Sequence, residues 1–190
     1  MRLFVSVDLP GDLAEAVAAV QREFEDASGL RFTDPRQAHV TLKFLGEVDA
    51  ADVDALRADV ARAVADAGVA PFEVTYGGLG VFPSEEYIRV LWLGVRDGAG
   101  DAELTALQEA VEARLVARGF DPADHEFTPH VTLARMEHAG GKALVQRKLR
   151  ELDPTVGTAR VDAVCLTESD LGEDGPEYAT VHRAPLPDDP

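Results

Sequence analysis

The tetrapeptide His-Val-Thr-Leu occurs twice in this 190-residue chain, as His39-Val40-Thr41-Leu42 and as His130-Val131-Thr132-Leu133, 91 positions apart. An extended strand alternates its side chains between faces. In each copy the His and the Thr therefore share one face, and the Val and the Leu share the other. With the apolar face turned to a core, two such strands side by side present two imidazoles and two hydroxyls to one cleft. A single His-x-Thr on a strand is ordinarily a structural histidine. A repeated one calls for a fold in which both copies occupy equivalent places.

The surrounding pattern supplies such a fold. The first half predicts a strand over 2–9 and a helix capped by Asp12, with Glu15 completing a capping box, running to about residue 27. An irregular stretch over 31–38 leads to a strand over 39–45, stopped by Gly46. A helix over 49–67 closed by Gly68 and a strand over 72–76 follow, with Gly77-Gly78-Leu79-Gly80 as a tight connection bordering the cleft. The second half repeats the order. Arg89-Val90-Leu91-Trp92-Leu93-Gly94-Val95 matches the opening Arg2-Leu3-Phe4-Val5-Ser6-Val7, and a helix over 101–118, closed by Gly119, precedes a strand over 128–135. A helix over about 141–152 and a strand around 160–169 come next, then a strand over 178–183 that pairs back across a 170–176 loop, and a frayed tail over 185–190. Each half reads strand–helix–strand–helix–strand. The expectation is a single α+β domain over 1–190, with two pseudo-symmetric lobes of about 1–86 and 87–184 and the two His strands meeting at the centre.

A formal charge of −17 excludes a broad phosphate-binding surface, because affinity for nucleic-acid backbones comes chiefly from Lys and Arg. The substrate must be gripped locally, at one or two phosphates. Only Lys43, Lys142 and Lys148 are lysines, a composition that fits a high-salt or GC-rich source and equally an ordinary acidic protein. No run of 18 apolar residues marks a membrane span, the N-terminus is too short and too alternating for a signal peptide, and the lone Cys165 forms no internal disulfide. Together these point to the cytoplasm. His125, His130 and His138 match no closed zinc spacing and have no Cys nearby, so no metal site is expected. The glycines at 77–80 lack the Gly-Lys-Ser/Thr of a nucleotide loop.

His39-Val40-Thr41-Leu42-Lys43-Phe44 and His130-Val131-Thr132-Leu133-Ala134-Arg135 resemble the paired motifs of the two-histidine phosphoesterases. The likeness is nearest to the bacterial and archaeal RNA 2′,3′-cyclic phosphodiesterases, historically called LigT-like 2′–5′ RNA ligases. Arg2-Leu3-Phe4-Val5, Leu45-Gly46, the 77–83 and 89–95 segments and Phe127-Thr128-Pro129 extend it over nearly the whole chain. The resemblance implies antiparallel sheets lining a central cleft. It implies an RNA end with a 2′,3′-cyclic phosphate, opened to a 2′-phosphomonoester without metal; tRNA halves are candidate substrates, no cofactor is expected, and the expected state is a monomer. Some members also join RNA halves through a 2′–5′ bond without ATP.

Opening a cyclic phosphodiester needs a base on the attacking water and an acid on the leaving 3′-oxygen. An unperturbed pKa of about 6.5 suits histidine to both. His39 and His130 are the expected pair, with Thr41 and Thr132 binding the non-bridging oxygens. Strict alternation puts Lys43 and Ala134 on the His face and sends Phe44 and Arg135 to the opposite one. Phe44 is then core, Lys43 is a candidate peripheral contact, and Arg135, a phosphate ligand by resemblance, requires a bulge to turn it inward. Phe32, Phe127 and Tyr87 are candidates for stacking a terminal base, with core or rim packing as the competing role. A second reading takes a small cyclic nucleotide or an ADP-ribose-derived cyclic phosphate as substrate. A third, an RNA-end binder without turnover, has no use for a paired acid and base.

Overall fold

The computed structural model describes residues 1–188; Asp189 and Pro190, at the end of the expected frayed tail, lie outside the described residues. In chain order the elements are β1 Arg2–Asp8, α1 Ala14–Arg22, β2 Leu30–Phe32, β3 His39–Glu47, α2 Val53–Ala67, β4 Phe72–Pro83, β5 Ile88–Val95, α3 Asp101–Arg118, β6 His130–Met136, α4 Lys142–Glu151, β7 Thr155–Val161, β8 Ala163–Gly172 and β9 Gly175–Pro185. The strands form one antiparallel sheet in the order β7-β4-β5-β6-β3-β1-β8-β9, with β2 added to β6. Read outward from the β6–β3 junction, the two sides mirror each other, which is the expected pseudo-twofold.

The lobes do not follow the chain halves. β4 and β5 form a hairpin across the expected boundary, while β8 returns to pair with β1. In each repeat the third sheet strand thus joins the first strand of the other repeat. The helices exchange likewise: α3 packs on β3 and α2, whereas α1 packs against β6 and β7. Their buried faces are the ones the 3–4 spacing requires, Leu56, Val60 and Val64 on α2 and Leu104, Leu107, Val111 and Leu115 on α3. The sheet is also curled. Only Asp162 separates β7 from β8, although six strand spacings lie between them along the sheet. Laid flat, that is roughly 29 Å, and one intervening residue spans at most about 7 Å. The sheet therefore bends back on itself and encloses a cleft.

Several local expectations change. Asp12 makes no side-chain cap; residues 11–13 form a tight turn, and Glu15 instead pairs with Arg22 at 2.8 Å. The α-helical bonds end at Arg22, and i→i+3 bonds carry the chain on, keeping Phe24 buried. Gly77–Gly80 is not a loop but the middle of β4. Gly77 and Gly80 lie where the Arg96 and Trp92 side chains cross the strand, so a Cβ at either would collide. The 31–38 stretch contains β2 and a turn at Pro35–Gln37 whose first amide, from Arg36, bonds the Asp34 carboxylate. The 160–169 strand is two strands broken at Asp162, and β9 begins at Gly175, so the expected 170–176 loop shrinks to a tight turn. Leu186, in the expected frayed tail, is buried and bonds the Asp162 carbonyl at 2.8 Å. The repeat register also shifts by one. Asp8 stands opposite His39 and Gly94 opposite His130, so Arg2 corresponds to Ile88 rather than Arg89.

Both His strands carry a bulge at the same place. Val5 pairs with Lys43 and Ser6 with Thr41, which leaves Leu42 extra; Leu91 pairs with Ala134 and Trp92 with Thr132, which leaves Leu133 extra. After each bulge the faces swap. Lys43 and Ala134 turn to the core side, and Phe44 and Arg135 turn to the side of the histidines. Phe44 is accordingly 67% exposed, not core. Lys43 is withdrawn from the cleft: its Nζ, almost fully buried, donates to Glu112 Oε2 and to the Asp121 carbonyl, both at 2.8 Å. Burial would raise the Glu112 carboxyl, but the bonds from Lys43 and the Ala123 amide bring it below its ordinary value. Removing one partner of such a pair strands the other charge. Lys43→Ala is expected to cost about 3 kcal/mol in denaturant unfolding. Because the Glu112 carboxyl is lowered, the pair's contribution is complete above the usual carboxylate range and fades as pH falls through it, so the deficit should narrow in acid.

Candidate active site

Val40 and Val131 are the residues through which β3 pairs with β6. Continuing that antiparallel register sets His39 opposite Thr132 and Thr41 opposite His130. Val40, Leu42, Val131 and Leu133 are buried on the far side, so all four polar side chains face the cleft. Beyond the bridge β3 is kept away from β6. The edge of β6 is taken by β2, and the Leu133 carbonyl at the bulge accepts from the Thr33 amide at 3.0 Å and from Gln21 Nε2 at 3.0 Å. Those bonds satisfy buried backbone that a closed sheet would have satisfied, and they hold the cleft open.

The two imidazoles are anchored alike. His39 Nδ1 lies 2.8 Å from the Gln37 carbonyl, and His130 Nδ1 lies 2.6 Å from the Thr128 carbonyl, each two residues upstream. A carbonyl only accepts, so each Nδ1 carries the proton and each Nε2 is left for the cleft. Aromatic rings wall both. Phe82 meets His130 edge-on at 4.9 Å, with Trp92 at 5.9 Å; Phe4 lies 4.9 Å from His39, and Tyr178 stands edge-on to it at 5.1 Å. Burial among these rings lowers the pKa of both histidines. At His39 the Gln37 carbonyl and the Asp8 carboxylate oppose the shift. At His130 the Thr128 carbonyl opposes it, while His125, His39 and Arg135 add to it. Near pH 7 both rings of the free protein are then mostly neutral, and an anion placed between them would draw a proton onto one.

Arg135 acts electrostatically on both His130 and the Tyr178 hydroxyl, so the bulge brings it to the cleft. Phe32 pairs opposite Ala134 and shares its face, away from that of Arg135. Phe127 packs against the core and Tyr87 is exposed on the rim. His125 pairs with Asp124, and His138 accepts from the Gly140 amide. Among the described residues no three His, Cys, Asp or Glu side chains are grouped to hold a metal. The Cys165 thiol, pushed up to about 12 by burial and by Asp8, stays protonated.

Sequence reasoning missed the far wall. Tyr178 comes from β9, and its amide is fixed by Gln37 Oε1 at 2.8 Å while Gln37 Nε2 donates to the Pro176 carbonyl at 3.2 Å. Gln37 thereby ties β9 to the carbonyl that orients His39. Arg2 sits near the same phenol. A pairing between residues so far apart in the chain leaves no local pattern. The anchoring carbonyls leave none either, since any residue two before the histidine supplies one.

Proteins of known sequence and structure are similar to this chain over most of its length. The profile of the 2′-5′ RNA ligase superfamily matches residues 9–173. The RNA 2′,3′-cyclic phosphodiesterase of Methanothermobacter thermautotrophicus is 33% identical over 180 residues, covering 94% of this chain and 95% of that protein. The protein of the same name from Aeropyrum pernix is 36% identical over 155 residues, covering 81% and 85%. Among solved structures, a Thermus thermophilus protein superposes with a TM-score of 0.78 at 28% identity over 98% of both chains. E. coli LigT complexed with 3′-AMP gives 0.76 at 25% identity over 97% of both.

An NMR titration of the imidazoles checks the electrostatics. His39 and His130 should both titrate below the ordinary 6.5, and inorganic phosphate should move at least one midpoint upward. A midpoint at or above 6.5 in the free protein would contradict the burial argument.

Proposed function

The chain belongs to the 2′-5′ RNA ligase superfamily, and we propose that it opens RNA 2′,3′-cyclic phosphate ends to 2′-phosphomonoesters. The observation that carries this is the pair of Nδ1-anchored imidazoles facing one another across the Val40–Val131 bridge, each beside the other strand's threonine. Cyclic-phosphate relatives at 33% and 36% identity over most of the chain support the same reaction, against a small ADP-ribose-derived substrate.

Water attacks phosphorus in line with the bond to the 3′-oxygen. One Nε2, neutral, takes the proton from water as the P–O bond forms. The other, protonated on binding the phosphate anion, gives its proton to the departing 3′-oxygen. The Thr41 and Thr132 hydroxyls donate to the non-bridging oxygens, and Arg135 balances the charge that builds there. One water is consumed, and proton exchange with solvent returns each ring to its starting protonation state before the next turnover. With an RNA 5′-hydroxyl in place of water, the same displacement forms a 2′–5′ linkage and needs no ATP. tRNA halves with a cyclic end and a free 5′-hydroxyl fit that variant. No described helix is long and apolar enough to cross a membrane; the proposed setting is a monomer acting on RNA in the cytoplasm.

On a short RNA with a cyclic end, His39→Ala and His130→Ala should each lower kcat/KM by about 10² to 10⁴ with the circular-dichroism spectrum unchanged. Chelator should leave the wild-type rate intact, and ³¹P NMR should place the product phosphate on the 2′-oxygen. A single variant with near-wild-type rate, or a 3′-phosphate product, would overturn the assignment.

A further inference from the structure

A groove opens at the ends of β5 and β6 and shares Arg135 with the catalytic cleft. Glu86, Tyr87, Arg89, Glu137, His138 and Lys142 line it. We infer that this groove is a subsite for the RNA body, binding a phosphodiester linkage and a base on the 5′ side of the cyclic end. The inference rests on the RNA reading above and says how an acidic protein distinguishes RNA from a mononucleotide.

The first support is charge. In a chain of net charge −17, cations are ordinarily consumed by carboxylates. Arg22, Arg57, Arg96, Arg114, Lys148 and Arg183 all have a carboxylate oxygen within 4.0 Å. Among the described residues none lies that close to Arg89, Arg135 or Lys142, nor to Arg2, Arg62, Arg150 or Arg160 outside the groove, and the Glu137 carboxylate in the groove's lining lies 3.9 Å from Arg31. The second support is how the free cations are held. Arg89 Nε donates to the Tyr87 hydroxyl at 3.2 Å, with its guanidinium 5.4 Å from the centre of that ring. Lys142 Nζ donates to the Glu86 carbonyl at 3.0 Å, and Gln146 Nε2 holds the Glu85 carbonyl at 2.7 Å. Neutral partners fix both side chains without cancelling their charge. Each keeps spare donors, four on the guanidinium and two on the ammonium.

The third support is shape and ligand chemistry. Tyr87 is 59% exposed, so one face of its ring is open for a base to stack on. An exposed aromatic beside two unneutralised cations matches a nucleotide of single-stranded RNA better than a bare anion. Arg135, which lines the groove and acts on His130 and Tyr178, joins the groove to the catalytic cleft.

The test compares two substrates, a mononucleoside 2′,3′-cyclic phosphate and a short RNA ending in the same cyclic nucleotide, across Arg89→Glu and Lys142→Glu. Each variant should lose about tenfold or more in kcat/KM on the RNA, the worth of a charged hydrogen bond, and stay within about twofold on the mononucleotide. The RNA reaction should also become less salt-sensitive, by roughly 0.7 in logarithmic slope per lost phosphate contact. Arg89→Ala and Lys142→Ala should give smaller losses in the same direction. Unchanged RNA turnover, or equal losses on both substrates in the alanine variants, would overturn the subsite. If wild-type protein opens the mononucleotide as fast as the RNA, the subsite fails while the chemistry stands; if it opens neither, the proposed function itself fails.

Discussion

Val40 and Val131 join the two sides of the sheet, and the active-site geometry follows from that one bridge. Because β3 and β6 run antiparallel, each histidine lands beside the other motif's threonine, which a parallel pairing would not achieve. Because the pairing stops there, the strands part beyond the bridge and open the cleft. Thr33 and Gln21 satisfy the bulge carbonyl at Leu133 that this parting would otherwise leave bare. The exchange of third strands between the repeats supplies the rest of the support, since each histidine strand is backed by elements from both chain halves.

The electrostatics of the site run against those of the surface. The exterior is strongly acidic, yet the cleft collects cations that carboxylates do not neutralise, Arg135 foremost. The aromatic walls keep both imidazoles largely uncharged until an anion enters. In the proposed mechanism, substrate binding then supplies the condition for acid catalysis, with the proton arriving where the phosphate charge holds it. Anchoring each Nδ1 on a carbonyl two residues back gives the same tautomer twice by purely local means.

The order of elements was legible because helices such as α3 announce themselves, with Leu104, Leu107, Val111 and Leu115 on one face and Gly119 in the left-handed conformation at the end. The four polar residues of the paired motifs were legible because alternation is local. What alternation could not give is the pair of bulges at Leu42 and Leu133, since a bulge is set by the register with β1 and β5 rather than by the strand's own residues. From that came the misreading of Phe44 as core and of Lys43 as a cleft residue. The resemblance supplied Arg135, and the bulge explains how it reaches the cleft. Gly77 and Gly80 looked like a loop for a related reason: the side chains that require them belong to residues 92 and 96. Tyr178 and Gln37, joined only through tertiary contact, had no signature at all.

The central claim is a division of labour between two imidazoles, and the pH dependence of single variants addresses it most directly. Wild-type kcat/KM on a cyclic-ended RNA should follow a bell, one limb for each histidine. The account predicts that His39→Ala and His130→Ala each retain only one limb, and that the surviving limb differs between them. If both variants lost the same limb, or either kept the full bell at reduced amplitude, the two histidines would not be the acid and the base.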